Sequence, residues 1–393
     1  MIVFIGGEVH SSKRATVLLN RLGMGVSCNT VQRVLGDVGD ELVELRDTDK
    51  LSSEKIESPP QLAVVQCDGG RILTRRPDQG PGVHEQAWKE TKNAGLFRMT
   101  SKESSEDPHP ALPEAFADEV RVAQFAEMAQ PEEASKTLEK RLFSENSHEE
   151  DFAAADGKHR PKVLVRTVLS SMANSATFGH QMKHEAKQRR FGEASRRAFV
   201  GDGLPWNWTI HKEHFSDYVA ILDFIHVTSY LYAASVVIGE TKQASWSSYL
   251  RMATDCWQGR SKQVASELQA WLLEQSVDDP TEIDKEHSLR AVADAWRYLS
   301  NNHDRMDYPA YRRQGLPVTS SLMESLVKQI NLRVKGTEMF WDRPQGAERI
   351  LQIRAAILSE DDRLERYLKQ RPGCPYVRRS TLRRQDPHLQ AIA

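Results

Sequence analysis

The stretch Leu62-Ala63-Val64-Val65-Gln66-Cys67-Asp68-Gly69-Gly70 decides how the rest of the chain is read. A short, β-branched apolar run bounded by Pro59-Pro60 and by two glycines predicts a buried strand rather than a helix. The run behind it, Arg71-Ile72-Leu73-Thr74-Arg75, predicts the second strand of a hairpin, with Asp68 closing the first. A carboxylate there adds little to core packing and suits a metal. One such acid is explained more simply as the start of an Asp-Gly-Gly turn.

The same device recurs downstream. Arg197-Ala198-Phe199-Val200-Gly201-Asp202-Gly203 is again a brief apolar run ending in Asp and Gly, with Trp206-Asn207-Trp208 close behind. The run 218–226 predicts a further strand leading into a helix, and residues 229–308 read as helical, with Trp246, Trp257, Trp271 and Trp296 as core anchors. In the segment 315–329, Ser320 or Ser321 caps a helix that carries Glu324 in its first turn, where an acid also suits the helix dipole. Two Asp at strand ends and a Glu on a late helix can converge on a pair of divalent cations. Hard Mg²⁺ takes oxygen ligands and keeps positions open for phosphate and water, and two such ions support phosphodiester chemistry.

The 393 residues suffice for a full core and more than one structural unit. With 39% hydrophobic and 27% charged residues the composition is that of a soluble protein, and no apolar run has the length of a membrane span. The start, Met1 to Gly7, is too short for a signal peptide. Cys28, Cys67, Cys256 and Cys374 lie far apart, which excludes a zinc ribbon or a disulfide framework. The expected location is the cytoplasm, in association with the nucleoid. The net charge of −2 is unevenly spread: residues 101–151 are strongly acidic, and basic clusters such as 183–190, Arg196-Arg197, Arg378-Arg379 and Arg383-Arg384 lie elsewhere. Such a distribution is compatible with nucleic-acid binding, though solvated helix faces explain any one cluster.

Residues 11–22 predict an amphipathic helix, broken by Gly23-Met24-Gly25. A second helix, capped by Ser27 or Asn29, runs through Asn29, Thr30, Gln32 and Arg33. This composition fits a helix-turn-helix reader, or equally a plain helical hairpin. Residues 41–55 read as helix end and linker. Residues 94–100 predict a third strand, making an antiparallel meander with the hairpin. The segment 101–160 reads as an acidic surface excursion with a helical pattern near 116–127, and residues 163–190 predict a long helix interrupted near 175–178. A three-strand meander, a helix, a strand with its Asp and a further strand is the order of an RNase H-like sheet. The expected class is therefore α/β: an RNase H-like mixed sheet with a large all-helical insertion and an N-terminal helix-turn-helix. The expected units are a DNA-binding segment 1–58, a catalytic domain 59–350 with the excursion 101–160 and the insertion 227–315, and a C-terminal helix and basic tail 351–393.

Five blocks in order carry a family resemblance: Val65-Gln66-Cys67-Asp68-Gly69-Gly70; Trp88-Lys89-Glu90-Thr91-Lys92; Val200-Gly201-Asp202-Gly203 with Trp206 and Trp208; Leu222-Asp223-Phe224-Ile225-His226; and Ser321-Leu322-Met323-Glu324-Ser325 with Arg333-Val334-Lys335-Gly336-Thr337. Over residues 60–360 the chain resembles the DDE transposases of bacterial insertion sequences, closest to the Kra type. The resemblance implies an RNase H-like fold, cleavage at transposon ends, strand transfer, and dependence on Mg²⁺ or Mn²⁺. It implies Asp68, Asp202 and Glu324 as the catalytic acids and metal ligands. Asp223 and His226 resemble the C/D-x-x-H signature shared with Mutator-like and hAT-like transposases, which makes Asp223 a rival to Asp202 as second ligand. The implied partners are double-stranded DNA, as terminal inverted repeats and target, and further copies of the chain assembled on it. Asn29, Thr30, Gln32 and Arg33 would then meet base edges, and Arg333, Lys335, Arg383 and Arg384 would meet phosphates. Without the resemblance, His226 reads as a core histidine, Trp206 and Trp208 as core or as base-stacking groups, and Trp341 as packing. The family pattern also carries more DNA-binding sequence ahead of the catalytic domain than these first 60 residues. The alternatives are a nuclease of the same fold without strand transfer, or an inactive DNA-binding remnant acting as a repressor.

Overall fold

The three-dimensional structure, a computed structural model, describes residues 1–48, 58–75, 87–129, 161–284, 286–335 and 341–371. Its centre is a five-stranded mixed sheet. The strands are β1 (Leu62–Thr74), β2 (Ala87–Thr100), β3 (Lys162–Ser171), β4 (Arg196–Gly201) and β5 (Val219–Leu222), in the spatial order β3-β2-β1-β4-β5. β1, β2 and β3 pair antiparallel, whereas β4 and β5 run parallel to β1. The class is α/β, and the sheet is compatible with the RNase H-like arrangement expected from the sequence.

Alternation along the strands splits the core into two layers. Val64, Phe97, Val168 and Val200 face the larger cluster, and Val65, Leu96, Leu169 and Phe199 the smaller. The smaller face is covered by α5 (Ser175–Gln188) and α6 (Pro205–His214), through Phe178, Met182 and Ile210. Three N-terminal helices, α1 (Ile2–Glu8), α2 (Ser12–Arg21) and α3 (Cys28–Asp47), precede the sheet, and α4 (Glu119–Ala129) follows β2. Between β5 and the helix bearing Glu324, every described element is helical: α7 (Phe224–Ile238), α8 (Lys242–Trp257), α9 (Ser261–Glu274), α10 (Arg290–Asn302), a short 3₁₀ turn at His303–Arg305, and α11 (Tyr308–Arg313). Then come α12 (Ser321–Val334), α13 (Pro344–Leu358) and α14 (Arg363–Gln370). No helix among the described residues is long and apolar enough to cross a membrane.

Several local expectations are corrected. Asp68-Gly69-Gly70 is not a turn: β1 runs straight through it, with Gly69 opposite Lys92 and Gly70 opposite Thr91. A Cβ on Gly70 would lie 2.6 Å from Thr91 Oγ1, so glycine here serves close cross-strand packing. The expected hairpin and third strand are therefore two strands, and the third strand of the meander is β3, within residues assigned above to a long helix. Val163, Val165, Thr167 and Val168 are stiff at χ1 and fit a pleated surface. The helix begins only at Ser175, where the Asn174 side chain accepts from Thr177 N. Residues 101–129 are no loose excursion: Phe116 is buried, Tyr249 Oη donates to its carbonyl at 2.9 Å, and Asp107 forms a bidentate pair with Arg312.

Neither sheet edge is bare. Along β3, Arg166 N donates to Glu360 Oε2 (3.1 Å), Val168 N to Ser359 Oγ (2.9 Å), and Gln352 Nε2 to Ser170 O (2.6 Å). Along β5, Tyr311 Oη and Tyr308 Oη donate to the carbonyls of Ala220 and Leu222. Behind β3, Glu185, Arg189, Asp361 and Arg363 form a buried ion-pair network joining the end of α5 to the α13–α14 connection.

Candidate active site

Strand register sets the site. Cys67 is paired with Gly201 and Gly201 with Leu222, so the next residues, Asp68, Asp202 and Asp223, stand level at the carboxyl ends of three adjacent parallel segments. Neighbouring strands are about 4.8 Å apart. On the other side Asp68 is opposite Asn93, and Asn93 is opposite Ser170, so a polar row crosses the sheet. Ser170 Oγ donates to Asn93 Oδ1 at 2.6 Å.

Asp223 is the N-cap of α7 and is fully buried. Its Oδ1 accepts from Ser320 N (2.7 Å) and Ile225 N (3.3 Å), and its Oδ2 from His226 N (3.3 Å) and His226 Nδ1 (2.6 Å). Four donors fill the four lone-pair positions of a carboxylate. Because Ser320 begins α12, that carboxylate also fixes the helix that presents Glu324 from its first turn. One ligand atom each of Asp223, His226 and Glu324 lie within 4.8 Å of one another. Helix α12 can come this close because Gly95 has no side chain: a Cβ there would sit 2.5 Å from the Phe97 ring and 3.0 Å from Leu326.

Asp202 sits just beyond β4. Its Oδ1 accepts from Leu204 N (3.0 Å) and from the side-chain amide of Asn207, while Tyr298 Oη donates to its carbonyl at 2.7 Å. Among the described residues both carboxylate bonds fall on Oδ1, which leaves Oδ2 for a cation. Asn207 is fully buried, and its own Oδ1 accepts from Cys67 Sγ at 3.2 Å, so the amide is oriented from both ends. Sequence reasoning passed over Asn207. Its one signal is a polar residue on α6 between two tryptophans, one helical turn after Gly203.

The charges are crowded. Burial, then the charge of Asp202, push the Asp68 carboxyl up to about 7, against the pull of His226 and of the Gly69 N–H. Burial, then Asp223, raise Glu324 to about 7, with His226 and Lys328 opposing. Asp202 is raised by burial, opposed by His226. For His226 burial acts downward, but the hydrogen bond and charge of Asp223 prevail and hold the imidazole protonated, up to about 10. A dication among these oxygens would relieve the repulsion, and carboxylate oxygens are the donors Mg²⁺ or Mn²⁺ takes. The ligand atoms that converge among the described residues are those of Asp223, His226 and Glu324, while Asp68 and Asp202 stand outside that group.

The other expected site residues scatter. Asn29, Gln32 and Arg33 are exposed on the first turns of α3 and Thr30 is half-buried, its N–H accepted by Ser27 Oγ. Arg333 is corrected: it is 4% exposed and donates to the carbonyls of Gly6 (2.8 Å) and His10 (3.4 Å), so it ties α1 to α12 and offers no face to a phosphate. Burial, then Arg354, lowers it to about 10. Lys335 Nζ lies 5.8 Å from the Trp88 ring centre. Trp206 lies beneath Lys92 Nζ (5.4 Å) and Trp208 beneath the Arg305 guanidinium (4.4 Å). Trp341 packs as expected, its Nε1 donating to Val334 O. Arg383 and Arg384 lie outside the described residues.

No known family model matches the chain, and no curated protein matches it either.

Proposed function

We propose that this chain is a metal-dependent phosphodiester-cutting and -joining enzyme acting on DNA, with an RNase H-like catalytic domain and the activity of a DDE transposase. The observation that carries the reading is the level row of Asp68, Asp202 and Asp223, with Glu324 brought by α12 to the Asp223 end of it. Asp68, Asp202 and Glu324 are the residues to hold Mg²⁺ or Mn²⁺. When bound, these ions would supply Lewis-acid stabilisation of the phosphoryl oxygens and lower the pKa of the attacking oxygen nucleophile. Asn207 holds Asp202 in one orientation with Oδ2 uncommitted. Asp223, its oxygens filled by N–H donors, favours Asp202 as the ligand and acts by fixing His226 and the start of α12. The protonated His226 ring sets a positive charge among the carboxylates, placed to compensate them or to hold a proton near the leaving oxygen.

The test is single replacement of Asp68, Asp202 and Glu324 by Ala, assayed for Mg²⁺-dependent nicking and for joined products on oligonucleotides bearing the element's ends. Each should lose activity by orders of magnitude. Near-normal cutting by any one removes that residue from the site, and cutting without joined products favours the nuclease alternative.

A further inference from the structure

We propose that the β1–β2 ribbon beyond Asp68 is a docking arm for the sugar–phosphate backbone of duplex DNA beside the bond to be cut; this rests on the proposed function. β4 stops pairing with β1 at Cys67, and β3 stops pairing with β2 at Lys92. From there β1 and β2 continue as a two-stranded ribbon to Thr74 and Ala87. On one face Ile72, Thr74 and Thr91 are buried and only Lys89 is exposed, and Trp341 is bonded to the edge through Leu73 O and Arg75 N. The other face carries Arg71 and Leu73 with Glu90 and Trp88 opposite them. Arg71, Lys89 and Glu90 are exposed, and Trp88 is 49% exposed.

The ribbon's charge runs against that of the chain. Residues 69–75 and 87–92 carry Arg71, Arg75, Lys89 and Lys92 against Glu90 alone, in a protein of net charge −2. The one acid is paired to buried Lys92 at 2.9 Å, and Arg75 is paired with Asp342 at 3.3 Å. With Glu90 paired to Lys92, Arg71 is the exposed cation on the face that carries Trp88, and Lys335 adds a second against the indole; Lys89, opposite Ile72, adds positive charge from the other face. A half-exposed indole between cations suits a sugar or base face beside phosphates. The position fits as well: Arg71 is about 10 Å along the strand from Asp68, and β1 itself places only Gly69 and Gly70 between them.

The experiment uses the full chain with Ca²⁺ in place of Mg²⁺ and a fluorescein-labelled random-sequence duplex, read by anisotropy across a salt series. Arg71→Ala should weaken binding and reduce the slope of log K against log salt by about 0.9, the loss of one phosphate contact. Trp88→Ala should weaken binding with the slope unchanged. A Lys242→Ala, Lys262→Ala pair, exposed on α8 and α9, should keep the wild-type slope. A ribbon variant that binds with wild-type affinity and slope overturns the inference, as does an equal loss in the lysine pair. Wild-type protein that binds no duplex at all overturns the proposed function as well, a result distinct from either.

Discussion

Replacing Asn207 tests whether Asp202 must be held in one orientation. Its amide donates to Asp202 Oδ1, its Oδ1 accepts from Cys67 Sγ, and it is fully buried. A hydrogen bond to a charged group contributes about 1.5–3 kcal/mol. If all of it is lost at the transition state, Asn207→Ala should slow cutting by about 10- to 150-fold. Asn207→Asp keeps the shape, removes the donor and adds a like charge. Burial already raises the Asp202 carboxyl, so the acid limb of the pH–rate profile should move to higher pH in this variant. The assay is single-turnover plasmid nicking over a Mg²⁺ titration and a pH series, with circular dichroism to establish that both variants are folded. A purely structural role predicts lost stability with an unmoved acid limb. Folded Asn207→Ala protein cutting at the wild-type rate and Mg²⁺ midpoint would refute the reasoning.

Asp361 is buried between Arg363 and Arg189; burial acts upward, but the Arg363 charge and hydrogen bond and the Arg189 charge prevail and hold it down to about 2. Its contribution to stability is full above the unfolded value of about 3.9 and is lost as pH falls through about 2. Asp361→Ala strands two buried arginines beside Glu185 alone and should cost about 3–5 kcal/mol in urea unfolding at pH 7, a penalty that shrinks in acid; an unchanged midpoint would show the network to be dispensable. Gly95→Val meets both the Phe97 ring and Leu326, so it should cost about 1–3 kcal/mol of overpacking and push α12 outward. Nicking should fall more than stability does, and loss of stability with normal nicking would separate Glu324 from the position of α12.

Asp68, Asp202 and Glu324 stand out in the sequence because each marks a local pattern: the two Asp end apolar runs, and Glu324 follows a helix start. The register that sets Asp68, Asp202 and Asp223 level is not legible there, since register is a tertiary property. Gly69-Gly70 carries a turn signal that cross-strand pairing with Lys92 and Thr91 overrides. Residues 163–171 satisfy helical and strand spacing alike, and the strand prevails because β2 offers an open edge. Arg333 looks like a surface cation in sequence, and only the carbonyls of Gly6 and His10 reveal its role. Asn93 carries no sequence cue and Asn207 only its place between two tryptophans, because their partners come from other elements. The helix-turn-helix reading had correct helices at 12–21 and from 28 onward, but nothing in those helices foretold that Gly39 would pack against Arg349 of α13.

The covered sheet edges bear on how this protein can associate. A bare outer strand invites a stranger's strand, and with it fibrils, swapped dimers or peptide capture. Here side chains of the α13–α14 connection stand where a sixth strand would pair with β3, and two tyrosines stand beside β5. Along β3 and β5 the outer strand positions are taken by the chain's own side chains, so strand addition there has to displace them. A truncation that removes Ser359 and Glu360 would open the β3 side to strand pairing by another chain.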